Sequence, residues 1–201
     1  MNWRMKEIVL TVILSILCGV IYLGWSTLWL PLSAIFGPVS SEWMFGIWVI
    51  ASPLVAYIIQ KPGAAMIAEF AASAVEVLTG SQFGLSSFLI GLVQGLGAEL
   101  VFFCFSYKRY TLLTLMLCGV GGALGSMIYD LMANGFSYYT KGVLLTTFGL
   151  RIISGAILGG WLAKGLAEAL AKTGVLNAYT LMKERYHGND TNDDEDTLPR
   201  L

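Results

Sequence analysis

Residues 85–107 read LSSFLIGLVQGLGAELVFFCFSY and are followed at once by Lys108-Arg109. A helix needs roughly 20 apolar residues to cross a hydrocarbon core about 30 Å thick, and this run supplies them with Glu99 as its only carboxylate. The same pattern recurs on both sides of it. Working outward, residues 111–132 and 143–162 follow, and 63–78, 43–59 and 5–23 precede, each set off by a short polar break. Residues 63–78 are the shortest run and carry two glutamates, so hydropathy alone supports that span least. A hydrophobic share of 56% against 12% charged residues lies outside the range of soluble domains. The expected fold is therefore an all-α integral membrane protein with six transmembrane helices, multi-pass in the cell membrane. Residues 1–172 form one membrane domain in this reading. Residues 173–201 form a polar cytoplasmic tail, acidic and disordered toward its end, where Asp190, Asp193, Asp194, Glu195 and Asp196 crowd together. The first run is expected to be retained, because its apolar stretch is long for a secretion signal and no small-residue cleavage site follows it.

The basic residues fall on alternate connections. Arg4, Lys6, Lys61, Lys108, Arg109, Lys164, Lys172, Lys183 and Arg185 collect at one end, whereas the other has Lys141 alone. Short loops rich in Lys and Arg stay in the cytoplasm, so both termini are expected there. Residues 24–42, 79–84 and 133–142 are then the external connections. The first holds Trp25, Trp29, Pro31, Phe36, Gly37 and Pro38 without a single base, which fits either an interfacial aromatic belt or a loop folded over a site as a lid.

Several function classes drop out. Twelve Lys and Arg against thirteen Asp and Glu leave a net charge of −1, with no basic field to attract nucleic acid. Cys18, Cys104 and Cys118 stand singly in apolar sequence and read as packing residues. The sole histidine, His187, is in the tail, so histidine-based nucleophilic or metal catalysis has no partner inside the bundle. No phosphate-binding loop occurs, so this chain is not expected to be an enzyme, and energy from ATP must come from another subunit. No cofactor is called for.

An ionised side chain at the bilayer centre costs several kcal/mol, so each acid there is a functional candidate with a partner. Glu69 and Glu76 are two helical turns apart on one face, and counting about 1.5 Å per residue from Pro62 puts them roughly 10 and 21 Å deep. The next helix returns inward with Gln94 in its outer half and Glu99 roughly 20 Å down. Gln94 lies in Gly91-x-x-x-Gly95, a spacing that lets a neighbouring helix approach closely. Tyr129, Asp130 and Asn134 belong at the external mouth. Arg151, roughly 13 Å below the outer surface, needs a carboxylate, and Glu99 or Glu76 is the expected partner. Trp48 sits deeper than an interfacial anchor. Carboxylates, an amide and indole faces around one outward cavity suit a small flat heterocycle bearing amino groups or positive charge, with Trp25 and Trp29 able to cover it.

The sequence Lys61-Pro62-Gly63-Ala64-Ala65-Met66 followed by Glu69 and Glu76, then Gly80-Ser81-x-x-Gly84 and Gly91-x-x-Gln94-Gly95-x-Gly97-x-Glu99, closely resembles the substrate-binding S components of energy-coupling factor (ECF) vitamin transporters. The resemblance covers nearly the whole chain. It implies a six-helix subunit that binds thiamin or its hydroxymethylpyrimidine precursor and works with a transmembrane T subunit and two ABC-type ATPases. Ser15 and Gly19 on the first helix offer a small-residue face, for internal packing or for docking the T subunit. A self-sufficient proton-coupled carrier using Glu69, Glu76, Glu99 and Asp130 is the competing class. It is weakened by the lack of inverted repeats with broken helices.

Overall fold

The computed structural model describes residues 3–37, 39 and 42–181, and among these every regular element is helical. The acidic stretch of the tail lies outside the described residues. The elements are α1 (Met5–Phe36), a 3-10 segment (Glu42–Val49) leading into α2 (Ala51–Ile59), α3 (Ala64–Leu78), α4 (Leu85–Cys104), α5 (Leu112–Ala133) and α6 (Lys141–Ser154). A π-helical turn, Gly155–Trp161, joins α6 to α7 (Leu162–Lys172) in one continuous rod. Six rods result, of which five are long and apolar enough to cross a membrane: Met5–Ile35, Glu42–Ile59, Leu85–Cys104, Leu112–Ala133 and Lys141–Lys172. The sixth, α3, has 15 residues, about 22 Å of helix, and lies among the others with Ala64, Ala65, Ala68 and Ala72 fully buried.

The largest departure from the sequence reading is α1. Residues 24–36 continue its helix instead of forming an external loop, carrying Pro31 within it and placing Trp25 and Trp29 on a rigid rod. Apolar surroundings offer no water to a broken backbone, which favours keeping the helix through Gly24 and Pro31. The lid expectation for this segment is withdrawn accordingly.

Small residues bring the rods together. A Cβ on Gly97 of α4 would collide with the carbonyl oxygen of Gly121 on α5, and one on Gly121 would collide with that of Gly97, so the two backbones touch. Gly19 packs in the same manner against Ala72 and Val75 of α3, and Ser15 is buried. That face of α1 is thus spent on internal packing and is closed to a docking partner.

Two polar devices hold the irregular parts. The Ser154 hydroxyl donates to the Trp43 carbonyl (2.5 Å) and accepts from the Gly46 N–H (2.8 Å), tying the 3-10 segment to the end of α6. At the opening of α2, the Tyr22 hydroxyl accepts from Ala51 N–H (3.0 Å), while Glu69 accepts from Ser52 N–H (3.1 Å), Ser52 Oγ (3.0 Å) and Tyr22 itself (3.0 Å). The fully buried Glu69 carboxyl group therefore caps α2 from a neighbouring helix, accepting from an N–H of its first turn that has no partner within the helix.

Candidate functional site

The 3-10 segment matters because its tight winding and its anchor on Ser154 turn Glu42, Phe45 and Trp48 toward a common space. That space is a cavity of about 400 Å³ in the half of the bundle that ends at Gly80 and Asn134, within the size range of small-molecule sites. Tyr22 and Trp29 of α1, Ser73 and Glu76 of α3, Gln94 of α4, Asp130 of α5 with Asn134 just past its end, and Arg151 of α6 complete most of its wall.

One side of the cavity is built around Arg151, itself 5% exposed. Its guanidinium donates to Glu42 through Nε (2.5 Å) and Nη2 (2.9 Å), in a two-pronged contact that matches the planar fork to the carboxylate. Nη1 donates to Asp130 and to Ser126 Oγ (3.3 Å). The rings of Phe45 and Phe136 lie 5.0 and 5.3 Å from the guanidinium carbon, closing it off from solvent. Asn134 donates to the other Asp130 oxygen (2.6 Å). Every charge on this side has its partner within the protein.

The opposite side is less satisfied. Glu76 Oε1 accepts from Ser26 (2.6 Å) and Ser81 (3.1 Å), but among the described residues Oε2 has no hydrogen-bond donor. The indole N–H of Trp48 donates to the same Ser26 oxygen (3.1 Å), so the ring and the carboxylate are fixed in one chain of bonds. Trp29 meets Trp48 edge to face at 6.5 Å and Phe83 at 5.3 Å, forming an aromatic wall. Gln94 is 4% exposed and its amide forms no hydrogen bond among the described residues. Glu42, Asp130 and Glu76 outnumber Arg151 as charge-bearing groups by three to one. The cavity can therefore receive hydrogen-bond donors or a cation at Glu76, both donor and acceptor groups at Gln94, and a flat ring against the indoles.

The chain superposes on a crystal structure described as an S component of an ECF transporter with a TM-score of 0.94 and 43% sequence identity, covering 98% of this chain and 100% of that one. The chain belongs to the ECF transporter S components. This S component is also 45% identical, over 91% of its length and 92% of the relative's, to a protein of Bacillus subtilis (strain 168) named as a candidate HMP/thiamine permease, YkoE. Residues 6–125 match the family described as ABC-type cobalt transport system, permease component. Among the described residues of the S component, no three His, Cys, Asp or Glu side chains gather as a metal-ligand set. It is a multi-pass membrane transport protein rather than an enzyme.

Of the residues singled out by sequence, the S component places Trp29, Trp48, Glu76, Gln94, Asp130, Asn134 and Arg151 on the cavity wall. Four stand elsewhere. Trp25 donates to the Met44 carbonyl (3.1 Å) and braces the 3-10 segment, and Tyr129 does not reach the cavity. Glu69, on α3, lies below the floor, bonded to the start of α2. Glu99 is at the far end, accepting from the backbone N–H groups of Gly63 (2.5 Å), Ala65 (3.1 Å) and Met66 (3.2 Å) at the start of α3. The expected pairing of Arg151 with Glu99 or Glu76 is therefore replaced by Glu42 and Asp130. Glu42 was the residue that sequence reading assigned to a loop. Its signal was present: a carboxylate immediately before an apolar run, at the same end as a base in need of a partner.

Proposed function

We propose that this S component binds thiamin or its hydroxymethylpyrimidine precursor in the 400 Å³ cavity and hands it to a T subunit driven by two ABC-type ATPases. The observation that carries the reading is the open Glu76 oxygen beside an unengaged Gln94 amide and the Trp48 and Trp29 indoles. An aminopyrimidine would donate its exocyclic amine to Glu76 and exchange hydrogen bonds with Gln94. A thiazolium would gain from the excess of carboxylates and from the indole faces. The HMP/thiamine label of the Bacillus relative supports the same ligand class.

In this reading the cavity opens to the outside, the end bearing Lys61, Lys108 and Arg109 faces the cytoplasm, and both termini are cytoplasmic. Residues 1–172 act as one membrane unit and 173–201 as a cytoplasmic tail. Reconstitution separates this from a self-sufficient carrier. The subunit alone in liposomes should hold labelled thiamin at a stoichiometry near one without accumulating it under a proton gradient; gradient-driven accumulation would overturn the assignment.

A further inference from the structure

A second cavity, of about 430 Å³, opens at the basic end of the bundle, far from the ligand cavity, between Tyr57 of α2, Gln60 of the α2–α3 connection, Lys108, Arg109 and Tyr110 of the α4–α5 connection, and Leu181. Lys108 and Arg109 are exposed at its rim, and their side chains have no ion pair or hydrogen bond among the described residues. The described acids at this end are already engaged. Glu7 holds Lys61 (2.7 Å), Glu99 holds the α3 backbone, and Glu168 faces Lys164 (3.6 Å). Two adjacent exposed cations with no counter-charge among the described residues form a rim that can take an anion.

The backbone around this cavity is strained in a way found nowhere else among the described residues. The only non-glycine residues with positive φ are Gln60 (53°), Ser106 (51°) and Tyr107 (57°), all within the two connections that frame the cavity. Left-handed conformations at residues that carry a Cβ persist where the surroundings impose them, and they concentrate at binding sites. Here they swing Lys108 and Arg109 to one rim.

The position identifies the anion. This connection joins the ends of two candidate membrane spans, Leu85–Cys104 and Leu112–Ala133, so the rim lies at the depth of lipid headgroups. On the ends of α4 and α5 that this connection joins, Leu100, Phe103 and Leu113 present exposed apolar side chains (59, 65 and 64% exposed), a surface for acyl chains. We infer that this cavity is a binding site for the phosphodiester headgroup of an anionic phospholipid, gripped by Lys108 and Arg109.

Native mass spectrometry of the full-length protein in detergent, titrated with phosphatidylglycerol or phosphatidylcholine, tests this. Phosphatidylglycerol adducts should weaken about thirtyfold in Lys108→Gln/Arg109→Gln, at about 1 kcal/mol per base, and about fivefold in either single variant. Lys141→Gln, at the opposite end, should leave them unchanged, and phosphatidylcholine should bind weakly to all. Because both side chains are exposed, the melting temperature in detergent alone should stay at the wild-type value. Equal binding of the two lipids, or wild-type phosphatidylglycerol binding by the double variant, would overturn the site. Displacement of the lipid by millimolar inorganic phosphate would overturn the lipid source and leave a free-anion site.

Discussion

Replacing Arg151 by glutamine should damage this protein more than any other single polar substitution in the bundle. Its side chain is flanked by Glu42 and Asp130, 8 and 9% exposed, and an uncharged amide in its place could neutralise neither. Two carboxylates would be left facing each other in a desolvated wall. Removing one partner of a buried ion pair costs about 3–5 kcal/mol. For a chain of this size each kcal/mol moves the melting temperature by about 2–4 °C, so the expected fall is roughly 10 °C. Thermal unfolding of the purified protein in detergent, followed by intrinsic fluorescence, is the assay. Glu99→Gln is the comparison: the amide oxygen can still accept from the start of α3, so the loss is about 1 kcal/mol, or roughly 3 °C. Adding Glu42→Gln and Asp130→Asn to an Arg151→Met variant should recover most of the deficit, because the triple variant buries no unpaired charge. An Arg151→Gln variant melting within about 3 °C of wild type, or one less damaged than Glu99→Gln, would refute the assignment of Glu42 and Asp130 as its partners.

Three further outcomes follow from the same geometry. In a background with Cys18, Cys104 and Cys118 replaced by alanine, a cysteine at the exposed Ser137 should label with an impermeant reagent in intact cells, and cysteines at Ser106 and Thr173 should not; the reverse pattern inverts the proposed orientation. Ligand should quench tryptophan fluorescence, and Trp48→Ala should weaken binding about sixfold to thirtyfold, since an indole under a cation contributes about 1–2 kcal/mol; unchanged affinity and quenching would reduce Trp48 to packing. Gly121→Ala should lower the melting temperature by roughly 5 °C, because its Cβ would collide with the Gly97 oxygen, whereas Gly149→Ala, with open space around it, should not.

Hydropathy and spacing carried the helical architecture, because a membrane forces each apolar run to satisfy its own backbone. The same physics explains what was misread. Gly24, Pro31, Gly37 and Pro38 are loop markers in water, yet α1 continues to Phe36. The depth count placed Gln94 and Glu76 near one another, as the cavity has them. It also put Glu99 roughly 20 Å and Arg151 roughly 13 Å below the outer face, on two runs that both head inward from it, but the need of Arg151 for a carboxylate led to their being paired all the same. Of its two true partners, Glu42 is 109 residues away in sequence and meets Arg151 from a 3-10 segment pinned by Ser154. No local pattern announces a 3-10 winding of that length. Ser26, which helps orient Glu76, was equally silent, being a single hydroxyl in a segment read as a loop; Ser81, its counterpart, stood in the Gly80-Ser81-x-x-Gly84 motif but without a role.

Isothermal titration of thiamin and of hydroxymethylpyrimidine against wild type and Glu76→Gln tests the central claim most directly. Glu76 offers its free oxygen to the cavity, and a charge-assisted bond there contributes about 1.5–3 kcal/mol, so the variant should bind about tenfold to a hundredfold more weakly while melting close to wild type. Glu69→Gln, below the floor, should lose stability rather than intrinsic affinity. Wild-type affinity for both ligands in Glu76→Gln would contradict the account and move the binding site away from this cavity.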